Sequence, residues 1–313
     1  MATPPVRGRF LWHELMTSDT GSAEDFYKKV VGWKVQAWDT DPSYKMFTAG
    51  RVPVCGLLLQ RVDPNQVMPP RWFTYIGTPE VDATVRQAVE FGGKVIRSAM
   101  DVPNVGRFAS LQDPQGAAFA VFTPVPSPTP MGSERPGLGE FSWHELATTN
   151  WQSAWNFYQR LFGWEKTSSM EMAPGQTYQM FGANGRPMGG MYNRPSGQPG
   201  VPSWLPYAVV RDAKRAAEII KQSGGTVING PMEVPGGDWI VAGLDRQGAM
   251  FAVHALKPVV VAKSAASASK AARKSKAAPK RAVKKSKPTP KKSKPAKRSA
   301  KKAKPSTAKK RRR

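Results

Sequence analysis

Apolar and polar residues alternate from Phe10 to Met16, in a stretch reading FLWHELM, and this period of two predicts a strand with differently occupied faces. Phe10, Trp12, Glu14 and Met16 are expected on one face, with Leu11, His13 and Leu15 on the other. The period then lengthens. Ala23, Phe26, Tyr27 and Val30 fall on one stripe of a helix, which Asp19 and Ser22 can cap and Gly32 can end. Short strands are expected at about Trp33 to Ala37, Tyr44 to Ala49 and Val54 to Gln60, with turn residues between them. A second β-α-β-β-β unit begins at Trp72 to Ile76 and runs through a helix carrying Val81, Val85 and Ala88. It closes with strands near Lys94, at Arg107 to Leu111 and at Ala117 to Thr123.

The whole pattern then repeats. Phe10 to Trp33 returns 131 positions later as Phe141 to Trp164, with half of the aligned residues identical, including an unbroken Trp-His-Glu-Leu row and a Phe-Tyr pair followed by Gly-Trp. Ala154, Phe157, Tyr158 and Leu161 renew the helical stripe, and Gly163 renews the stop. Trp72 to Tyr75 recurs as Trp204 to Tyr207, Gly92 to Ile96 as Gly224 to Ile228, and Asp113 to Val121 as Asp245 to Val253. An internal duplication of this kind sets the architecture before any single element does. The expected fold is α+β: two tandem domains at residues 8–125 and 139–257, each of two β-α-β-β-β units forming a cupped mixed sheet. A Pro-rich linker, 126–138, joins them.

Composition changes this picture at one end only. The net charge is +25, but 23 of the 47 Lys and Arg lie after Lys257 with no Asp or Glu among them, which leaves a nearly neutral body of 24 basic and 22 acidic residues. The segment 258–313 is rich in Lys, Ala and Pro and cannot bury a core, so it is expected to be a disordered basic tail. The one cysteine, Cys55, has no disulfide partner in the chain and reads as a small buried apolar residue in a reducing compartment. The start MATPPVRGRF has no apolar core of a signal peptide, and no apolar run reaches the roughly 20 residues of a membrane helix. A cytoplasmic protein without a membrane span is expected, and the tail adds association with the nucleoid.

The strand followed by an Asp and a Phe-Tyr helix ending in Gly-Trp, together with the Asp-Pro-Gln-Gly turn before a last apolar strand, resembles the vicinal oxygen chelate superfamily. That superfamily includes glyoxalases, extradiol dioxygenases and bleomycin-resistance proteins. The resemblance covers about Gly8 to Lys257, and the tandem Trp-x-Glu-Leu starts are most similar to a bacterial glyoxalase-like group.

Enzymes of the superfamily hold a divalent metal with His, Gln or Glu from the first and last strands of each unit. The resemblance places those positions at Trp12 and Trp143, at Ala120 and Ala252, at Trp72 or Phe73 and Trp204 or Leu205, and within Gly56 to Leu58 and Gly190 to Tyr192. None of these side chains ligates a metal in the usual way, so no cofactor is expected; the alternative is a divalent metal with ligands drawn from His13, His144, Glu14 and Glu145. His13 and His144 stand one residue from the expected positions, and a one-residue step turns a strand side chain to the opposite face. Both are read as hydrogen-bonded histidines under the helix; a local bulge would reverse that geometry.

What remains is an aromatic cup. Trp12, Glu14, Trp72, Phe122, Trp143, Glu145, Trp204, Met250 and His254 are the expected ligand-binding residues, and the bulky tryptophans either line a cavity or fill it. Glu14, Glu145 and His254 are the candidates for proton transfer, against the plainer reading that the glutamates pair with arginine or stay solvated. No serine or cysteine stands in a recognisable nucleophile motif.

The tail resembles the lysine- and alanine-rich tails of linker histones. Lys284, Lys285, Lys291, Lys292, Arg298, Lys301, Lys302, Lys309, Lys310, Arg311, Arg312 and Arg313 are the expected contacts to nonspecific DNA or RNA, through phosphate neutralisation alone. Three functions are therefore open: a binding protein for a small apolar or aromatic molecule, a glyoxalase or dioxygenase with unusual ligands, and a scaffold for the tail. In each, the halves are expected to form an intrachain pseudo-dimer.

Overall fold

The computed structural model describes residues 6–60, 69–126, 136–195, 197 and 200–257. The tail at 258–313 and most of the linker therefore lie outside the described residues, as do the expectations placed on them.

The first half runs β1 (Phe10–Thr17), α1 (Thr20–Val30), β2 (Lys34–Ala37), β3 (Lys45–Ala49) and β4 (Val52–Leu59). It continues with β5 (Arg71–Gly77), α2 (Val81–Glu90), β6 (Lys94–Val102), β7 (Gly106–Gln112) and β8 (Ala118–Pro124). The second half repeats this as β9 (Phe141–Thr148), α3 (Trp151–Phe162), β10 (Glu165–Ala173), β11 (Gln176–Ala183), β12 (Arg186–Asn193), β13 (Ser203–Val209), α4 (Ala213–Gln222), β14 (Thr226–Glu233), β15 (Trp239–Leu244) and β16 (Met250–Ala255). Each half forms its own eight-stranded mixed sheet, ordered β2-β3-β4-β1-β5-β8-β7-β6 and β10-β11-β12-β9-β13-β16-β15-β14. The first strands of the two units in a half pair antiparallel at the middle, β1 with β5 and β9 with β13. Among the described residues no helix is long and apolar enough to cross a membrane.

The helices begin where the side chains dictate. Asp19 and Asn150 each accept the backbone N–H three residues on, from Ser22 and Ser153, and so cap α1 and α3. The stripe Ala23, Phe26, Tyr27 and Val30 is fully buried, but not against its own sheet alone: α1 shares a core with Ala216, Ile220 and Phe251 of the second half. α3 likewise shares a core with Ala88, Leu111 and Phe119 of the first.

Two motifs of the sequence meet across this junction. Tyr27 of α1 donates its hydroxyl to Asp245 Oδ2 at 3.1 Å, and Tyr158 of α3 donates to Asp113 Oδ2 at 3.0 Å. The other oxygen of each aspartate accepts backbone N–H groups of its own turn, from Gln247 and Ala249 and from Gln115 and Ala117. Each half's helix thus holds the other half's turn. Trp33 and Trp164 add reciprocal bonds, their indole N–H groups reaching Gly139 O and Gly8 O at 2.7 and 2.8 Å. The chain is a pseudo-symmetric pair of domains in intimate contact.

One expectation about β1 needs correction. The β1–β5 register shifts between Phe10 and Trp12, so Leu11 is the extra residue of a bulge. Phe10 therefore joins the face of His13 and stacks on His144 with ring centroids 3.6 Å apart, while Leu11 turns to the side of Trp12 and Tyr75.

Candidate functional site

The face of each curled sheet turned from the helices carries the candidate site. In the first half Leu11, Trp12, Phe73, Tyr75, Phe108 and Phe122 come together on it. Glu14 lies at its floor with only 8% of its surface exposed. The carboxylate is neither paired with arginine at contact distance nor solvated. Tyr75 donates its hydroxyl to Oε2 at 2.6 Å, Tyr44 donates to Oε1 at 2.9 Å, and the indole N–H of Trp12 donates to Tyr44 Oη at 3.1 Å.

The second half rebuilds this chain from its own residues. Tyr178 and Tyr207 both donate to Glu145 Oε2, at 3.2 and 3.1 Å, and the indole of Trp143 donates to Tyr178 Oη at 2.7 Å. Both hydroxyls converge on one oxygen here, which leaves Oε1 outside the pair of bonds.

Burial pushes the Glu14 carboxyl above its ordinary range, against the hydroxyls of Tyr75 and Tyr44 and the positive charge of Arg97. Burial raises Glu145 to about 6, again against its two tyrosines. The same burial, reinforced by the carboxylates, drives the tyrosine hydroxyls upward, so that they stay protonated and donate.

Glycine makes room for the tyrosines. Gly56 of β4 lies in register with Glu14, and Gly190 of β12 with Glu145. A Cβ on Gly56 would stand 2.1 Å from Tyr44 Oη, and one on Gly190 would stand 2.1 Å from the Tyr178 ring. Gly56→Ala is therefore expected to swing Tyr44 off Glu14 and destabilise the fold by about 1–3 kcal/mol, the usual cost of a buried acceptor losing its partner. Urea unfolding of the variant measures this, and an unchanged midpoint would show that Tyr44 does not hold the carboxylate.

Among the described residues, the positions of the usual metal ligands carry no side chains that bind a divalent metal in the usual way. Trp12 faces Tyr75 across β1 and β5, Tyr75 adjoins Ala120 of β8, and Gly56 occupies the fourth wall. Tyr207 and Ala252 stand in the same relation in the second half. Each floor thus offers one carboxylate, occupied by phenols, and among the described residues no three His, Cys, Asp or Glu side chains gather as a metal would require.

The histidines stand elsewhere. His13 and His144 meet at the join of the two halves, Nε2 to Nε2 at 3.0 Å. His144 Nδ1 lies 3.2 Å from the Met188 carbonyl, which can only accept, so that nitrogen carries the proton. His144 Nε2 then accepts from the Nε2–H of His13. Burial lowers both pKa values, His13 well below 6.5 and His144 to about 3, and the neighbouring ring lowers His13 further. They are a neutral pair, neither in a cup nor simply beneath one helix.

Trp72 and Trp204 also depart from expectation. Both lie on the helix side, where their indoles donate to Tyr27 and Tyr158 at 3.2 and 3.0 Å. Strand alternation explains the exchange: Phe73 and Tyr75 take the cup face of β5, as Leu205 and Tyr207 take that of β13. Phe122 sits in the first cup, whereas Met250 shares the face of Ala252 and His254 at the rim, 38% exposed.

Sequence reasoning missed Tyr44, Tyr75, Tyr178 and Tyr207. Tyr75 and Tyr207 could have been found, because each lies three residues after the repeated tryptophan at 72 or 204. It also missed a chain in the second cup, where Ser142 Oγ lies 2.8 Å from His254 Nδ1 and His254 Nε2 lies 3.0 Å from Asp238 Oδ2.

A glyoxalase-like domain profile matches residues 13–122. CFP32 of Mycobacterium tuberculosis, a glyoxylase by name, is 34% identical over 255 residues, covering 79% of this chain and 94% of that protein. The chain belongs to the glyoxalase-like family. Another relative, the anthracycline biosynthesis protein DnrV of Streptomyces peucetius, is 28% identical over 79% of this chain and 92% of its own. Among solved structures, the fold is shared with the Mn(II)-bound glyoxalase of Novosphingobium aromaticivorans, at a TM-score of 0.56 and 16% identity, over 81% of this chain and 83% of that one. It is shared as well with the 2,3-dioxygenase LapB of Pseudomonas sp. KL28, at 0.57 and 12%, over 81% and 93%. Within the glyoxalase-like family this chain lacks the usual metal-ligand set among its described residues and keeps the tandem arrangement.

Proposed function

We propose that this glyoxalase-like protein is a two-cup binder of small planar aromatic molecules that works without the family's usual metal ligands, and that its basic tail tethers it to nucleic acid. The observation that carries the reading is the duplicated Trp–Tyr–Glu–Tyr chain, which sets a single carboxylate, buried in the first half and half-buried in the second, beneath an aromatic wall. An apolar recess with a few ordered polar groups suits a small ligand. Beyond its tyrosine bonds each carboxylate keeps free lone pairs, those of Glu145 Oε1 among them, that accept a ligand hydroxyl in surroundings where water competes weakly, and the half-buried indoles of Trp12 and Trp143 supply stacking surface. The name of DnrV, a protein of anthracycline biosynthesis, points to the same chemical class of polycyclic aromatic.

Tryptophan fluorescence of the full chain, titrated with a hydroxylated anthraquinone, tests this. Saturable quenching is expected, weakened about tenfold or more in a Glu14→Gln, Glu145→Gln variant, since a hydrogen bond to a charged group is worth about 1.5–3 kcal/mol. Quenching that never saturates would refute the reading. So would a stoichiometric transition metal, found by elemental analysis of protein purified without chelator.

A further inference from the structure

The two cups have diverged at one wall. Leu11 and Phe122 of the first half are replaced in the second by Ser142 and His254: Phe122 lies in register with Gly77 of β5, and His254 with the corresponding Val209 of β13. Like Leu11, Ser142 falls at a register shift, between Trp143 and Phe141, and this bulge turns it toward the cup side of β9.

The polar replacements form an ordered chain. Asp238 accepts the backbone N–H of Lys257 on Oδ1 at 2.6 Å, which fixes the carboxylate. Its Oδ2 can only accept, so His254 Nε2 carries a proton, and the neutral ring offers its Nδ1 lone pair to the Ser142 hydroxyl at 2.8 Å. The Tyr207 carbonyl, 3.4 Å from Oγ, is the weaker alternative acceptor. His254 is 7% exposed, and burial lowers its pKa against the pull of Asp238, which keeps a free lone pair available near neutral pH. A hydroxyl, an imidazole and a carboxylate hydrogen-bonded in that order are the parts of an activated nucleophile. The ring is used the other way round from the familiar triad, in which the aspartate holds Nδ1, but the proton relay needs only that the two nitrogens face the two partners.

We propose that Ser142 is a nucleophile that accepts the acyl group of a small carboxylic ester, with His254 as its general base and Asp238 as the residue that positions the ring. Oγ attacks the ester carbonyl carbon while its proton passes to Nδ1. The bond from that carbon to the leaving oxygen breaks, and the Nδ1 proton goes to the departing alcohol or phenol. Water then adds to the acyl-serine, giving one proton to Nδ1, which returns it to Oγ as the acid leaves. Asp238 offsets the positive charge of the imidazolium in both steps. The first cup, with Leu11 and Phe122, carries no such chemistry. The inference rests on the binding reading only in requiring that a small ester reach the second cup.

The test uses the full chain with two probes, p-nitrophenyl acetate and an alkyl fluorophosphonate, read by intact mass and peptide mapping. One adduct per chain is expected, on Ser142, and none in Ser142→Ala. Asp238→Asn, a substitution of equal size at the rim, is expected to lower the maximal labelling rate at least tenfold with little change in the half-saturating probe concentration. A folded wild-type chain without an adduct on Ser142, or Asp238→Asn labelling at the wild-type rate, overturns the proposal. Anthraquinone titration of the wild-type chain separates the two ideas: saturable quenching without an adduct on Ser142 overturns only the nucleophile, and an adduct on Ser142 without saturable quenching overturns only the aromatic ligand.

Discussion

A chain ending at Lys257 is expected to keep its fold and lose its grip on duplex DNA. The last described strand, β16, closes at Ala255, so the cut removes none of the described sheets or helices. It does remove 23 positive charges and no negative ones, almost the whole net charge of +25. Binding by such a segment depends on releasing counterions from phosphates. If about 6–10 phosphates are engaged, the full chain should lose roughly 10³–10⁵-fold in affinity between 50 and 200 mM salt. No dependence on base sequence is expected, because phosphate contacts position a protein without reading bases. Gel retardation of a mixed-sequence duplex, run at both salt concentrations with both proteins, decides the matter. Equal retardation by the full and shortened chains would place the binding surface on the folded body.

The second large effect is acid sensitivity at the join of the halves. His13 and His144 are held neutral, with folded pKa values well below 6.5 and about 3, against an unfolded value near 6.5. The unfolded chain therefore binds protons that the folded chain refuses. Stability is full above about pH 6.5 and falls as pH drops, by up to about 1.4 kcal/mol per pH unit for each histidine that stays neutral in the fold. Glu14, Glu145, Asp113 and Asp245 act oppositely, since their raised pKa values let the folded state take up protons first. The histidine contribution thus has to be isolated by comparison. In urea unfolding from pH 7.5 to 5, the wild type should lose stability relative to a His13→Leu, His144→Leu variant as pH falls. Curves that run parallel would mean that the pair takes up protons in the folded state as readily as in the unfolded one.

Much of the framework was legible from residues alone. Strand and helix periods placed Phe10 to Met16 and the stripe from Ala23 to Val30, and the duplication of these motifs implied two sheets of matching order. The lack of ligands at Trp12, Gly56 and Ala120 was also visible, because absence of a donor needs only residue identity. Local pattern determines which residues share a face as long as the register is unbroken.

Where the register breaks, or where partners come from distant positions, the sequence is silent. The bulge at Leu11 exchanged the faces of Leu11 and Phe10, and its counterpart at Ser142 brought a serine to a histidine 112 positions away. Trp72 and Trp204 carried the same aromatic signal as Trp12 and Trp143, yet only the pairing of β5 and β13 put them among the helices. The repeated histidines became one contact 131 positions apart, and the Phe-Tyr helix of each half proved to hold the Asp turn of the other. Periodicity is a property of one element; the choice of partner is a property of how two curled sheets pack around shared helices, and only the tertiary structure decided it.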